Sequence, residues 1–159
     1  NNMSDILRKI LNDVRVELSD EFDRNFSRKA FFDQNWKQRK YHQNKGSLMM
    51  VTGKLRRSIL SRTSANSVSW ESSEPYAAIH NYGGEITVTA KMKRYFWYRY
   101  KVTKDNYWKY MALMKVGTTI TIPKRQFIGD HKIVREATKE IINRNIKEYA
   151  NNLFGKIKL

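Results

Sequence analysis

The chain has 159 residues, 40% apolar and 29% charged, enough for one domain-sized core and unlike a disordered tail. Lys and Arg number 31 against 15 Asp and Glu, a net charge of +16 that serves solubility alone or points to an anionic partner: nucleic acid, an acidic protein face or an anionic membrane. Absence of cysteine excludes disulfides, thiolate metal sites and Cys nucleophiles, and no apolar run reaches the roughly 18 residues that span a bilayer.

Residues 5–29 predict a helix, because Leu7, Leu11, Val14, Leu18, Phe22 and Phe26 recur every three or four positions; Ser4 is the expected cap. The period breaks over 30–47, where Phe31, Phe32, Trp36 and Tyr41 stand among Lys37, Arg39, Lys40 and Lys45, an ordered loop pinned by aromatics. A short helix follows over 52–60, capped by Thr52, with Leu55 and Ile59 on one face. Strands over 58–64 and 67–73 then form a hairpin turning at Ala65–Asn66, and Val68 and Trp70 alternate with serines. Pro75 opens another short helix that gathers Tyr76, Ile79 and His80 and stops at Gly83 and Gly84. Alternation over 85–90 and β-branched residues over 118–122 predict two strands. The final helix, over 130–153, places Ile133, Ala137, Ile141, Ile142, Ile146, Tyr149 and Leu153 on its apolar face, with Asp130 as cap. This order predicts an α+β domain: a mainly antiparallel sheet with a long N-terminal and a long C-terminal helix packed on it.

Catalytic, metal and cofactor motifs are missing. No glycine-rich phosphate loop ends in Lys-Ser or Lys-Thr, and Gly83-Gly84 precedes a strand rather than a helix. His42, His80 and His131 lack partners at metal-ligand spacing, and His80 reads as a structural residue. Ten of the fifteen carboxylates fall on the two long predicted helices, where a polar face explains them. No catalytic residue, metal ligand or cofactor is assigned, and the chain reads as a binding or assembly part rather than an enzyme.

Residues 91–115 carry eight Lys or Arg, one acid (Asp105) and eight of the twenty aromatic residues. Lys91, Lys93, Arg94, Tyr95, Phe96, Trp97 and Trp108 are the candidate interface. Rings beside cations suit protein contacts, where Tyr, Trp and Arg anchor binding. They also suit a single-stranded nucleic acid, whose bases stack on rings and whose phosphates pair with Lys. A third reading is a helical cover for the core, because Met92, Tyr95, Phe96 and Arg99, and likewise Trp108, Met111 and Ala112, fit helical faces.

Three segments share an order with one known family. The stretch Leu48-Met49-Met50-Val51-Thr52-Gly53-Lys54-Leu55-Arg56-Arg57-Ser58-Ile59 resembles an L…TG-x-L-x-x-S-I element. Pro75-Tyr76-Ala77-Ala78-Ile79-His80-Asn81-Tyr82-Gly83-Gly84 resembles a YA-x-x-H-x-x-G element. Ile122-Pro123-Lys124-Arg125-Gln126-Phe127-Ile128-Gly129, ahead of the last helix, resembles I-P-x-R-x-F-x-G. Together they resemble the phage virion morphogenesis, or tail-completion, family, over about residues 31–149.

The resemblance implies one such domain over 1–159, with 91–115 as an insertion, and no enzymatic activity. It implies a structural virion component, assembled in the bacterial host cytoplasm, that completes the tail or joins head to tail as an oligomeric ring. The implied partners are copies of itself and tail tube, terminator or connector proteins, with no membrane. The alternative is a nucleic-acid-binding module that contacts DNA through 91–115. Thr52, Gly53, Leu55, Tyr76, His80, Gly83, Pro123, Arg125 and Phe127 carry the motifs. Their expected duties are architectural: Gly53 permits close packing at a helix start, Pro123 ends strand pairing, and Arg125 bridges to a carboxylate or a helix C-terminus.

Overall fold

The computed structural model describes residues 2–39, 48–50 and 53–155. Helix α1 (Met3–Arg28) begins at Asn2 rather than Ser4: the Asn2 side chain accepts from the Asp5 N–H at 3.1 Å while the Asp5 carboxylate accepts from the Asn2 N–H at 3.2 Å. This reciprocal pair satisfies two N–H groups that the first turn would otherwise leave open. The helix ends at Lys29, held in the left-handed conformation at φ 55°.

A tight hairpin follows, β1 (Ala30–Phe31) with β2 (Gln34–Asn35), and Phe31, Phe32 and Trp36 are buried, so aromatics do pin this region. Its continuation through Tyr41 and Lys45, and the expected cap Thr52, lie outside the described residues. Helix α2 (Lys54–Arg57) leads into the hairpin β3 (Ile59–Thr63) and β4 (Val68–Ser72), paired from Ile59↔Ser72 to Thr63↔Val68 as the alternation predicts. Helix α3 (Ala77–Tyr82), strand β5 (Gly84–Thr87), helices α4 (Ala90–Thr103) and α5 (Asn106–Ala112), and strand β6 (Thr119–Ile122) come next. The last element, α6 (Lys132–Phe154), is capped by His131, whose Nδ1 accepts from the Ile133 N–H at 3.0 Å. Asp130, the expected cap, instead pairs with Arg135.

The fold is α+β; among the described residues every strand pair is antiparallel, and the sheet is divided into three two-stranded ribbons. Helix α1 is the spine: α6 lies along it, and the β3–β4 ribbon packs against it. One apolar cluster joins Val14, Leu18 and Phe22 of α1 to Phe31, Phe32 and the fully buried Ile141 of α6. Trp70 seals this cluster edge-on to Phe22 at 5.1 Å, and its indole N–H reaches the Ser19 hydroxyl at 2.9 Å. A second cluster gathers Phe26, Trp36, Leu48, Leu55, Ala77 and Phe127. Leu7, Ile133 and Leu153, expected on buried faces, are exposed near the helix ends, and Ile146 is exposed because the face of α6 that meets α1 runs through Ala137, Ile141 and Asn145, leaving Ile146 about 140° round the helix from Ile141.

Candidate functional site

The three motif segments converge on residues 123–129. Pro123 ends β6, as a residue without an N–H must, and the chain then crosses the foot of α3. Asn81 receives this crossing: its side-chain carbonyl accepts from the Phe127 N–H at 2.9 Å and the Ile128 N–H at 3.2 Å. Asn25, fully buried in α1, donates to the Phe127 carbonyl at 3.0 Å and accepts from the Phe32 N–H at 3.0 Å. The Trp36 indole N–H donates to the Gln126 carbonyl at 2.7 Å. Three side chains thus satisfy the polar backbone of a buried, irregular segment, which would otherwise cost about 1–3 kcal/mol per open group. Phe127 sits in the middle of this knot, 1% exposed against Phe26.

The other motif residues serve the same knot. Gly83 stands at φ 73°, and a Cβ there would meet the Lys124 backbone N at 2.9 Å, so only glycine lets α3 and the crossing segment approach. Gly53 opens α2 in the left-handed conformation, and Leu55 enters the second cluster. Arg125 does not reach a carboxylate or a helix end. Its Nε donates to the Lys37 carbonyl at 2.9 Å and an Nη to the Gln38 carbonyl at 3.4 Å, tying the loop after β2 to the crossing. Burial, and then the nearby Arg39, lower its pKa. The His80 carbonyl accepts from the Arg125 N–H at 2.8 Å, and the His80 ring meets Tyr76 edge-on at 5.8 Å. Desolvation, and then the Arg125 charge, lower the His80 pKa, and its Nδ1 is buried without a hydrogen-bond partner among the described residues. Asn25 and Asn81 are the site residues that sequence reasoning missed. The available signal was a polar residue set three positions from Phe22 on an otherwise apolar helix face, and an Asn inside a motif read only for its His and Gly.

A cleft beside the knot is lined by Ser72, Glu74, Pro75, Ala78, Asn81 and Tyr82 among others. Its one carboxylate, Glu74, pairs with Lys54. Among the described residues no group of three His, Asp or Glu could hold a metal ion, and no helix is long and apolar enough to cross a membrane.

The second feature is the basic aromatic block. It folds as a helical hairpin, α4 and α5, standing on the β5–β6 ribbon, and neither helix packs substantially on any other element. Thr89 caps α4 and Asp105 caps α5. Trp108 is the hub between the helices: Phe96, Tyr95 and Tyr107 pack on it at 5.3–6.0 Å, and the Arg99 guanidinium lies over its ring at 5.2 Å. Phe96 and Trp108, expected at an interface, are turned towards the opposing helix, Phe96 buried and Trp108 half-buried. Lys93 is half-buried, whereas Lys91, Arg94, Tyr95 and Trp97 are exposed. So are Tyr98, Val102, Tyr107, Tyr110, Leu113 and Val116, a concentration of exposed apolar side chains that ordinary solvated helices lack.

The ion pairs of the described residues all fall on the body. Carboxylates of the body pair within the chain: Asp23 grips Arg56 through two 2.7 Å bonds, Glu17 pairs with Arg144, and Glu21 and Asp20 with Arg24. The Arg56 hydrogen bonds hold the Asp23 carboxyl below its ordinary pKa. Among the described residues, only Glu85 and Glu140 form no hydrogen bond or ion pair, and Glu140 acts on Arg144 through its charge. In the arm, by contrast, none of the eight Lys and Arg is paired with a carboxylate of the described chain.

No curated protein and no solved structure matches the chain. A model of the phage virion morphogenesis family matches residues 5–147, a span that holds α1, the knot with all three of its motif segments, the arm and most of α6. The knotted motifs and this match agree, and the chain belongs to the phage virion morphogenesis family.

Proposed function

We propose that the chain is a non-enzymatic structural protein that completes the tail or joins head to tail in a phage particle, working as an oligomeric ring built in the host cytoplasm. Its family gives it a part in phage assembly. The observation that carries the finer reading is the arm, whose exposed rings and unpaired cations need a partner surface to cover them. The motif segments support a scaffold role, since Asn25, Trp36 and Asn81 hold the backbone of the crossing segment in place. A ring requires a head-to-tail contact between two different patches of the protein.

Light scattering on a size-exclusion column tests the reading, together with electron microscopy of the protein mixed with tail tubes and connectors. A closed oligomer, free in solution or formed on one of those partners, is the expected result. A strict monomer at high concentration that also fails to assemble on tail tube or connector would overturn it.

A further inference from the structure

We propose that the arm docks into an acidic, apolar-lined surface of a different protein of the particle, rather than onto a second copy of this chain or onto nucleic acid. The proposal rests on the assembly role above and names the partner of its most exposed feature.

Three observations carry it. Helix α4 turns Phe96 inwards, and at 3.6 residues per turn Lys91, Arg94, Tyr98 and Lys101 fall within about 80° of one another on the opposite side. Those four positions are exposed and span about 15 Å of helix, so three cations and a ring present one continuous stripe. Secondly, α5 turns Ala112 inwards and carries Tyr107 and Tyr110 opposite it, flanked by Leu113; these are 44%, 69% and 58% exposed. Phosphates match the stripe on α4, but neither they nor stacked bases give a use to the aliphatic Val102, Leu113 and Val116, which are also exposed. An acidic protein surface with apolar pockets accounts for both faces, because Tyr, Trp and Arg anchors bury well and cations steer the approach.

Thirdly, a second copy is a poor source of acid. Glu17, Asp23 and Glu148 bridge its own helices, and Glu85 and Glu140, the two carboxylates among the described residues with neither a hydrogen bond nor an ion pair, lie on separate elements, a strand and α6. Two copies carrying +16 each would add repulsion to that shortage. The anionic complement therefore comes from another chain, and any ring contact falls on the body.

The test measures binding of the full-length chain to each purified neck and tail protein of the same particle, and to a 30-nucleotide single strand and a 30-base-pair duplex. Three variants accompany the wild type: a charge-reversed triple (Lys91→Glu, Arg94→Glu, Lys101→Glu), the same triple to Gln, and Tyr110→Ala with Leu113→Ala. Circular dichroism checks that each keeps its helices, as expected from the exposure of all five positions. One particle protein is expected to bind, with affinity falling about tenfold or more between low and high salt. The reversed triple should weaken that binding more than the Gln triple and flatten its salt dependence. The Tyr110–Leu113 variant should weaken it about tenfold while leaving the salt dependence intact. No binding to any particle protein, or binding that all the variants leave unchanged, overturns the proposal. So does arm-dependent binding of either DNA that is tighter than binding of any protein, or loss of the homo-oligomer in the reversed triple. An intact ring with a silent arm would sink this proposal alone; a ring that never forms, alongside arm-dependent protein binding, would sink only the ring.

Discussion

Gly83 illustrates how a single position holds two chain segments together. Its positive φ and its contact with the Lys124 backbone act in the same direction, so Gly83→Ala strains the turn and pushes the crossing segment off α3. The expected cost is about 1–3 kcal/mol, read as a lower midpoint in urea unfolding with little change in slope. His80 lies next to this contact and gives the knot a pH dependence. Burial and Arg125 hold its folded pKa below the ordinary 6.5, so the unfolded chain takes up the proton first. That contribution to stability is complete above about pH 6.5 and declines as pH falls below it. Unfolding free energies at pH 7.5, 6.5 and 5.5 should therefore fall more steeply in the wild type than in His80→Gln. The difference in slope has an upper bound of about 1.4 kcal/mol per pH unit, reduced by solvent around the half-buried ring. Neither residue's role could be derived from spacing alone, because both depend on a segment forty residues downstream.

At the scale of elements, the arm is held by ring packing around Trp108 rather than by the body's core. Trp108→Ala removes the surface on which Phe96, Tyr95, Tyr107 and Arg99 converge. Truncating a fully buried Trp costs about 3–5 kcal/mol, the half-buried Trp108 less, and that loss falls on two short helices with little else to hold them. Hydrogen exchange should show lost protection over 90–112 while α1 and α6 keep theirs. Elements were the most legible scale in the sequence. The long helices, the β3–β4 hairpin and the glycine stop all follow local rules: period, alternation and the conformational freedom of glycine. The caps were less legible, since Asn2 and His131 each displaced a neighbour equally able to cap: at Asn2 the reciprocal pair with Asp5 decides, and at His131 the long-range Asp33 bond to its ring at 2.8 Å holds the side chain.

At the scale of the whole molecule, the sequence showed segments but not how they meet. The motif segments were visible, but their convergence on one buried crossing was not, because Asn25, Asn81 and Trp36 reach it across 102, 46 and 90 positions of chain. The basic aromatic block was visible too. Which of its rings face in and which face out became clear only once α4 and α5 were paired. Ion pairs consolidate the body, although Arg8, Lys29, Arg57, Lys139 and Lys147 there also lack a carboxylate partner among the described residues, whereas none of the arm's cations has one.

That ribbon has a consequence for how such proteins diversify. The arm leaves the body at Val88 and returns at Thr118, and these two residues share a backbone hydrogen bond of 2.8 Å. Exit and re-entry are therefore neighbours, so the intervening stretch can be lengthened, trimmed or replaced by a tight turn without moving either strand. Such a socket lets an inherited scaffold acquire a new fitting in one recombination event. Replacing the arm by a tight turn is expected to leave the knot and the α1–α6 core folded, because no residue of the arm belongs to either apolar cluster.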